Sequence, residues 1–142
     1  MSFEKIDRVV IAVPKIEEAR ELFSSMLGIE FEEVPVPDTL KLRAAYSSFG
    51  LELVEATAPN TLIDNFIRKR GEGVFAVVIK VTNMDDAVKI FEKKGMQRAG
   101  EVQYGALREV AFHPKKSHGV QIVLAEYPAK HPAITAILQK VK

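Results

Sequence analysis

The sequence predicts an α+β chain of two tandem β-α-β-β-β modules whose curved sheets form a shared cup. Three observations carry that expectation: an internal repeat, runs rich in Val and Ile ahead of each copy, and a length of 142 residues. At roughly 100–200 residues per domain, such a chain holds one domain rather than two large independent ones. Its 47% hydrophobic content is ordinary for a globular protein, and 20 Lys and Arg nearly balance 19 Asp and Glu. That balance excludes a histone-like basic binder and a disordered acidic chain. With no cysteine, disulfides, zinc ribbons and thiol nucleophiles are excluded, so any metal site must draw on His, carboxylate or amide groups.

The repeat joins Val13-Pro14-Lys15-Ile16-Glu17-Glu18-Ala19-Arg20-Glu21-Leu22-Phe23 to Val81-Thr82-Asn83-Met84-Asp85-Asp86-Ala87-Val88-Lys89-Ile90-Phe91, 68 positions on. Ile16, Ala19, Leu22 and Phe23 mark one stripe of an amphipathic helix, and each copy runs toward a glycine suited to a C-terminal cap, Gly28 and Gly95. Strand-type runs at 6–13 and 74–81 precede the helices. Further strands are expected at 29–34, 41–47 and 50–55, then at 99–103, 107–113 and 120–125, separated by Pro, Gly, Ser and Asp turn signals. Between the halves, Leu62, Ile63, Phe66 and Ile67 give a helical stripe that Gly71-Glu72-Gly73 ends. The expected organisation is one domain over 1–142: module one at 4–57, a connecting helix at 60–71, module two at 73–127 and a tail at 128–142. The tail carries a candidate amphipathic helix at 133–141.

At this point the residues resemble a known family. Ile6-Asp7-Arg8-Val9-Val10-Ile11-Ala12-Val13 is similar to "DHIGIAV", Gly50-Leu51-Glu52-Leu53-Val54-Glu55 to "LELLEP", and Phe66-Ile67-Arg68-Lys69-Arg70-Gly71-Glu72-Gly73 to "FLEKRGEG". Ala111-Phe112-His113-Pro114-Lys115 and Gly119-Val120 resemble "AFLHPK" and "GVLIEL". These motifs, in this order, resemble the vicinal oxygen chelate superfamily (glyoxalases, bleomycin-resistance proteins and extradiol dioxygenases), and within it the methylmalonyl-CoA epimerase branch. The resemblance implies a glyoxalase-like fold and a homodimer. It also implies a metal held by a His on the first strand and a Glu or Gln on the last strand of each module. Carried over, those four positions fall on Arg8, Glu52, Ala76 and Val123. Three of them are a guanidinium, a methyl and an isopropyl group, none of which binds a divalent cation. The branch's carboxylate ahead of the third strand falls near Thr39. The expectation is therefore that no cofactor is needed and that the usual metal site does not form.

Strand alternation gives an independent view of the cup, because residues two apart share a face. Val9, Ile11 and Val13 read as helix-facing, leaving Arg8, Val10 and Ala12 toward the cup. In the third strand Leu42, Ala44 and Tyr46 read as the helix-facing set, which sends Lys41, Arg43 and Ala45 the other way. Leu51 and Leu53 leave Glu52 inward; Val110 and Phe112 leave Glu109 inward; Ile122 and Leu124 leave Gln121 and Val123 inward. Glu52 is then the candidate base and Arg8 its oxyanion partner, with Arg43, Glu109, Gln121 and Tyr104 as substrate-binding residues. A structural alternative is a buried Arg8–Glu52 ion pair in the vacated metal position.

His113, His118 and His131 read as loop residues rather than ligands, and Arg68-Lys69-Arg70 as the cationic end of the connecting helix rather than a nucleic-acid patch. Apolar runs such as 74–79 fall far short of the roughly 20 residues that span a bilayer, so the expected location is the cytoplasm, with no membrane partner. The functional expectation is a divergent, metal-independent epimerase-like or glyoxalase-like protein. It would bind a small anionic or acyl-CoA-type ligand and, as an enzyme, run isomerase, epimerase or lyase chemistry by proton transfer. The alternatives are a non-catalytic sequestering protein of the bleomycin-resistance type, and a conventional metal-dependent methylmalonyl-CoA epimerase or lactoylglutathione lyase.

Overall fold

A computed structural model describes residues 2–128, so His131 and the expected helix at 133–141 lie outside the described residues. In chain order the elements are β1 (Phe3–Ala12), α1 (Ile16–Leu27), β2 (Glu32–Val34), β3 (Leu42–Tyr46), β4 (Leu51–Ala56), α2 (Leu62–Arg70), β5 (Gly73–Val81), α3 (Met84–Lys93), β6 (Arg98–Tyr104), β7 (Leu107–Phe112) and β8 (Ile122–Glu126). The α+β pattern is thus β-α-β-β-β twice, with α2 between the copies, as the repeat requires. The described residues divide into two compact units, 9–75 and 2–8 with 76–128.

In the unit of residues 9–75 the strand order is β2-β3-β4-β1. β4 runs parallel to β1, setting Val10 beside Glu52 and Ile11 beside Leu53, while β2 and β3 are antiparallel to their neighbours. Ile16 and Ala19 of α1 bury against Val13, Ile29, Phe31, Ala45 and Leu53. Lys15 at the helix start offers no side-chain cap; instead the Ile16 N–H donates to Glu55 Oε1 at 2.8 Å, so a carboxylate on β4 meets the positive end of the helix dipole. The helix stops at Gly28, whose φ of +66° suits a residue without Cβ. Over the α1 face of the sheet, Arg43 Nη2 reaches Glu33 Oε1 at 2.6 Å and Glu17 Oε1 at 2.8 Å. These bonds hold both carboxyls below the usual carboxylate range.

The other unit repeats these ties. Its strands run β5-β8-β7-β6, with β5 parallel to β8. Met84, Ala87 and Val88 of α3 bury against Val81, Val110, Phe112 and Leu124. The Met84 N–H donates to Glu126 Oε2 at 2.5 Å, and Asn83 caps the helix by accepting from the Asp86 N–H at 3.0 Å. Arg108 joins Glu101 at 2.9 Å and Asp85 at 3.1 Å. Glu17 and Glu33 thus recur 68 positions on as Asp85 and Glu101, Arg43 recurs 65 on as Arg108, and Glu55 recurs 71 on as Glu126. The duplication extends from hydrophobic pattern to individual ion pairs.

Residues 2–8 group with the second module, although the repeat alone places residue 4 onward in the first. The contacts explain it: the Thr82 N–H donates to Ser2 O at 2.6 Å, Lys80 Nζ lies 3.2 Å from Glu4, and the Phe3 ring lies 6.0 Å from that of Phe91. Phe3 thereby joins the α3 core. Among the described residues no helix is long and apolar enough to cross a membrane.

Candidate functional site

The first unit carries a polar row on the sheet face away from α1. Leu53 and Ala45 are in the α1 core, and they lie opposite each other in register, as do Glu52 and Tyr46 one residue along. Alternation therefore turns Glu52 and Tyr46 to the other face. Tyr46 also lies opposite Glu32 of β2, and Glu52 lies beside Val10 of β1, giving Glu32, Tyr46, Glu52 and Val10 in line across four strands. Directly opposed residues of an antiparallel pair hold their Cβ atoms roughly 4.5–5.5 Å apart. Tyr46 and Glu52 are 5% and 7% exposed, while Glu32 is half-buried. Ala12, Ala44 and Val54 bury around them. A tight turn sets this register: the Ser47 N–H donates to Leu51 O at 2.8 Å and the Gly50 N–H to Ser47 O at 3.1 Å.

The same positions in the second module are Gly100, Ala111, Val123 and Val78, aligned in the same way. None of them is polar. The helix-facing ion pairs occur twice, but the row Glu32–Tyr46–Glu52 occurs once, so the module fold does not require it.

Arg43, expected beside Glu52, is on the opposite face with Glu17 and Glu33. The apolar side of β3 was a poor guide because both faces of the strand are covered: Ala44 and Ala45 are each 0% exposed and Tyr46 only 5%. The repeat held the missing signal. A shift of 65 positions pairs Arg43 with Arg108 and Ala45 with Val110, whose helix-facing side was legible from Val110 and Phe112.

In the second unit Arg8, 5% exposed, donates from Nη1 to Asp7 Oδ2 at 2.8 Å and from Nη2 to Glu109 Oε2 at 2.6 Å. Glu109 faces away from α3 as alternation predicts, since Val110 and Phe112 fill the α3 core. The Tyr127 hydroxyl donates to Asp7 Oδ1, and Lys80 Nζ sits 4.4 Å above the Tyr127 ring. Burial pushes the Tyr127 phenol well above its ordinary pKa, and the bond to Asp7 adds to the effect. Sequence reasoning found Arg8 and Glu109 but not Asp7, Lys80 or Tyr127. Gln121 precedes β8 half-buried, its carbonyl accepting the Val77 N–H at 3.0 Å. Tyr104 lies opposite Leu107 at the end of β6 and is 39% exposed. Thr39 sits in the turn Asp38–Leu40, and it, His113 and His118 are exposed.

Of the four positions the resemblance assigns to metal ligands, Arg8, Glu52, Ala76 and Val123, Glu52 is the one that carries a carboxylate. Ala76 is 2% exposed, and Arg8 holds two carboxylates. Among the described residues no group of three or more His, Cys, Asp or Glu side chains is placed to hold a metal ion.

Duplicated modules of this kind, with a carboxylate on the last strand of the first module, point to one class of proteins. The chain matches the Glyoxalase/Bleomycin resistance protein/Dioxygenase superfamily over residues 7–112 and belongs to that family. Among similar proteins, human mitochondrial methylmalonyl-CoA epimerase is 28% identical over 130 residues, covering 86% of this chain and 73% of that protein. The uncharacterised Bacillus subtilis protein YqjC is 24% identical over 128 residues, 86% of this chain and 91% of that one. Among solved structures, a methylmalonyl-CoA epimerase in complex with methylmalonyl-CoA and NH4+ superposes with a TM-score of 0.80 at 26% identity, covering 90% of this chain and 97% of that one. A Streptomyces coelicolor methylmalonyl-CoA epimerase variant in complex with 2-nitronate-propionyl-CoA gives 0.81 at 24% identity, covering 90% and 100%.

Proposed function

We propose that this chain is an epimerase- or isomerase-like enzyme that moves a proton on a small anionic or acyl-CoA-type ligand, with Glu52 as the base and without a bound divalent metal. The observation that carries the reading is Glu52 itself: a carboxylate 7% exposed, away from α1, at the family ligand position that retains an oxygen donor. Its kinship with methylmalonyl-CoA epimerases, one of them bound to methylmalonyl-CoA, supports an acyl-CoA thioester as the ligand class. A hydrogen on the carbon next to a thioester carbonyl is acidic enough for a positioned carboxylate to remove; a solvent-derived proton delivered back to that carbon gives exchange, and its delivery by water on the opposite face inverts the carbon. Arg8 is the oxyanion partner in this reading, and it also balances the charges of Asp7 and Glu109.

The test is deuterium wash-in from heavy water into methylmalonyl-CoA and related acyl-CoA thioesters, followed by NMR, on chelator-treated protein. The expected result is exchange that survives chelation and falls at least about 100-fold in Glu52→Gln, the lower end of what general-base catalysis contributes. Exchange that vanishes on chelation and returns with a divalent metal overturns metal independence. Unchanged exchange in folded Glu52→Gln overturns the base. Tight binding without exchange in the wild type makes the protein a sequestering one.

A further inference from the structure

Glu52 is buried, so the proton it takes must travel to water if turnover is to continue in exchange with solvent. The row across β2, β3 and β4 offers the route. Tyr46 stands between Glu52 and Glu32 in register, and burial falls along the row from Glu52 and Tyr46 to the half-buried Glu32. The duplicated module is an internal control. Where the first module has Glu32, Tyr46 and Glu52, the second has Gly100, Ala111 and Val123 on the same ladder positions. Yet the polar ties that hold helix to sheet, Arg43 with Glu33 and Glu17, and Arg108 with Glu101 and Asp85, are present in both. What both copies keep serves the fold. A row that one copy has and the other lacks serves something else.

We infer that Tyr46 and Glu32 form a proton relay that connects Glu52 to solvent, an inference that rests on Glu52 being the base. In the relay step the protonated Glu52 carboxyl gives its proton to the Tyr46 hydroxyl oxygen as the Tyr46 O–H proton passes to the Glu32 carboxylate. Glu52 is left ionised, Tyr46 neutral and Glu32 protonated, and Glu32 then releases the proton to water. No oxidant, reductant or covalent intermediate is required. Tyr46 and Glu32 are positioning residues here, because they act through Glu52 rather than on the ligand.

The experiment measures deuterium wash-in to methylmalonyl-CoA in the wild type, Tyr46→Phe, Glu32→Gln and Glu52→Gln, at increasing concentrations of a small diffusible buffer such as imidazole. The relay predicts that kcat falls at least tenfold in Tyr46→Phe and Glu32→Gln while KM stays within about twofold, and that imidazole restores kcat by carrying the proton instead. Glu52→Gln is inactive at every buffer concentration. A purely packing role for Tyr46 would not respond to buffer. Folded Tyr46→Phe and Glu32→Gln with wild-type kcat and no buffer dependence overturn the relay and leave the base assignment standing. Activity in Glu52→Gln, or no exchange in the wild type, overturns both. If circular dichroism shows Tyr46→Phe unfolded, half-buried Glu32→Gln carries the test alone.

Discussion

Arg8 is 5% exposed and holds Asp7, whose side chain is 3% exposed, on one side and Glu109, 16% exposed, on the other. Removing the buried cation from such a group leaves two neighbouring carboxylates without their countercharge. Arg8→Met is expected to lower unfolding free energy by about 3–5 kcal/mol. Adding Glu109→Gln should recover part of that loss, and urea denaturation of the single and double variants measures both. Alternation along the strands made the facing of Arg8 and Glu109 legible, since each has helix-packed neighbours on its own strand. The bond from Tyr127 to Asp7 was not, because the two residues are 120 positions apart and no local pattern joins them. Tyr46 was missed for a different reason. A strand covered on both faces has no dry side to give its orientation away.

At the scale of the element, each repeated helix begins against a carboxylate of the last strand in its module. Glu55 accepts the Ile16 N–H at 2.8 Å and Glu126 the Met84 N–H at 2.5 Å. Loss of a comparable helix cap costs about 0.5–2 kcal/mol. Glu55→Ala and Glu126→Ala are each expected to fall in that range, the first being the more costly because Lys15 supplies no side-chain cap whereas Asn83 does. Thermal melts of the two variants give the comparison; a larger loss for Glu126→Ala would show that Asn83 does not share the capping. The helices themselves, their shared register and the glycine stops at Gly28 and Gly95 could all be read from spacing. The strand-borne caps could not, because they depend on a contact between residues 39 and 42 positions apart.

For the molecule as a whole, the repeat predicted two modules but not where residues 2–8 would pack. Those residues supply Ser2 O to the Thr82 N–H, Glu4 to Lys80, Arg8 to Glu109 and the Phe3 ring to the core around Phe91 and Phe112. A chain lacking residues 2–8 is therefore expected to lose amide protection in β5 and α3 ahead of α1 and β4. Hydrogen exchange read by mass spectrometry distinguishes this from uniform loosening or no change.

The assignment of residues 2–8 also bears on how such a chain can be divided. The stretch that repeats and the body that packs are offset by half a strand, so no single cut releases either body intact. A fragment beginning at residue 76 would leave its first strand segment behind, and one ending at residue 75 would carry that segment away from Thr82, Lys80 and Glu109. A gene-level duplication can therefore be visible in the text of the chain while neither copy is a separable part, and circular permutants joined near residue 8 would test folding autonomy better than truncations would.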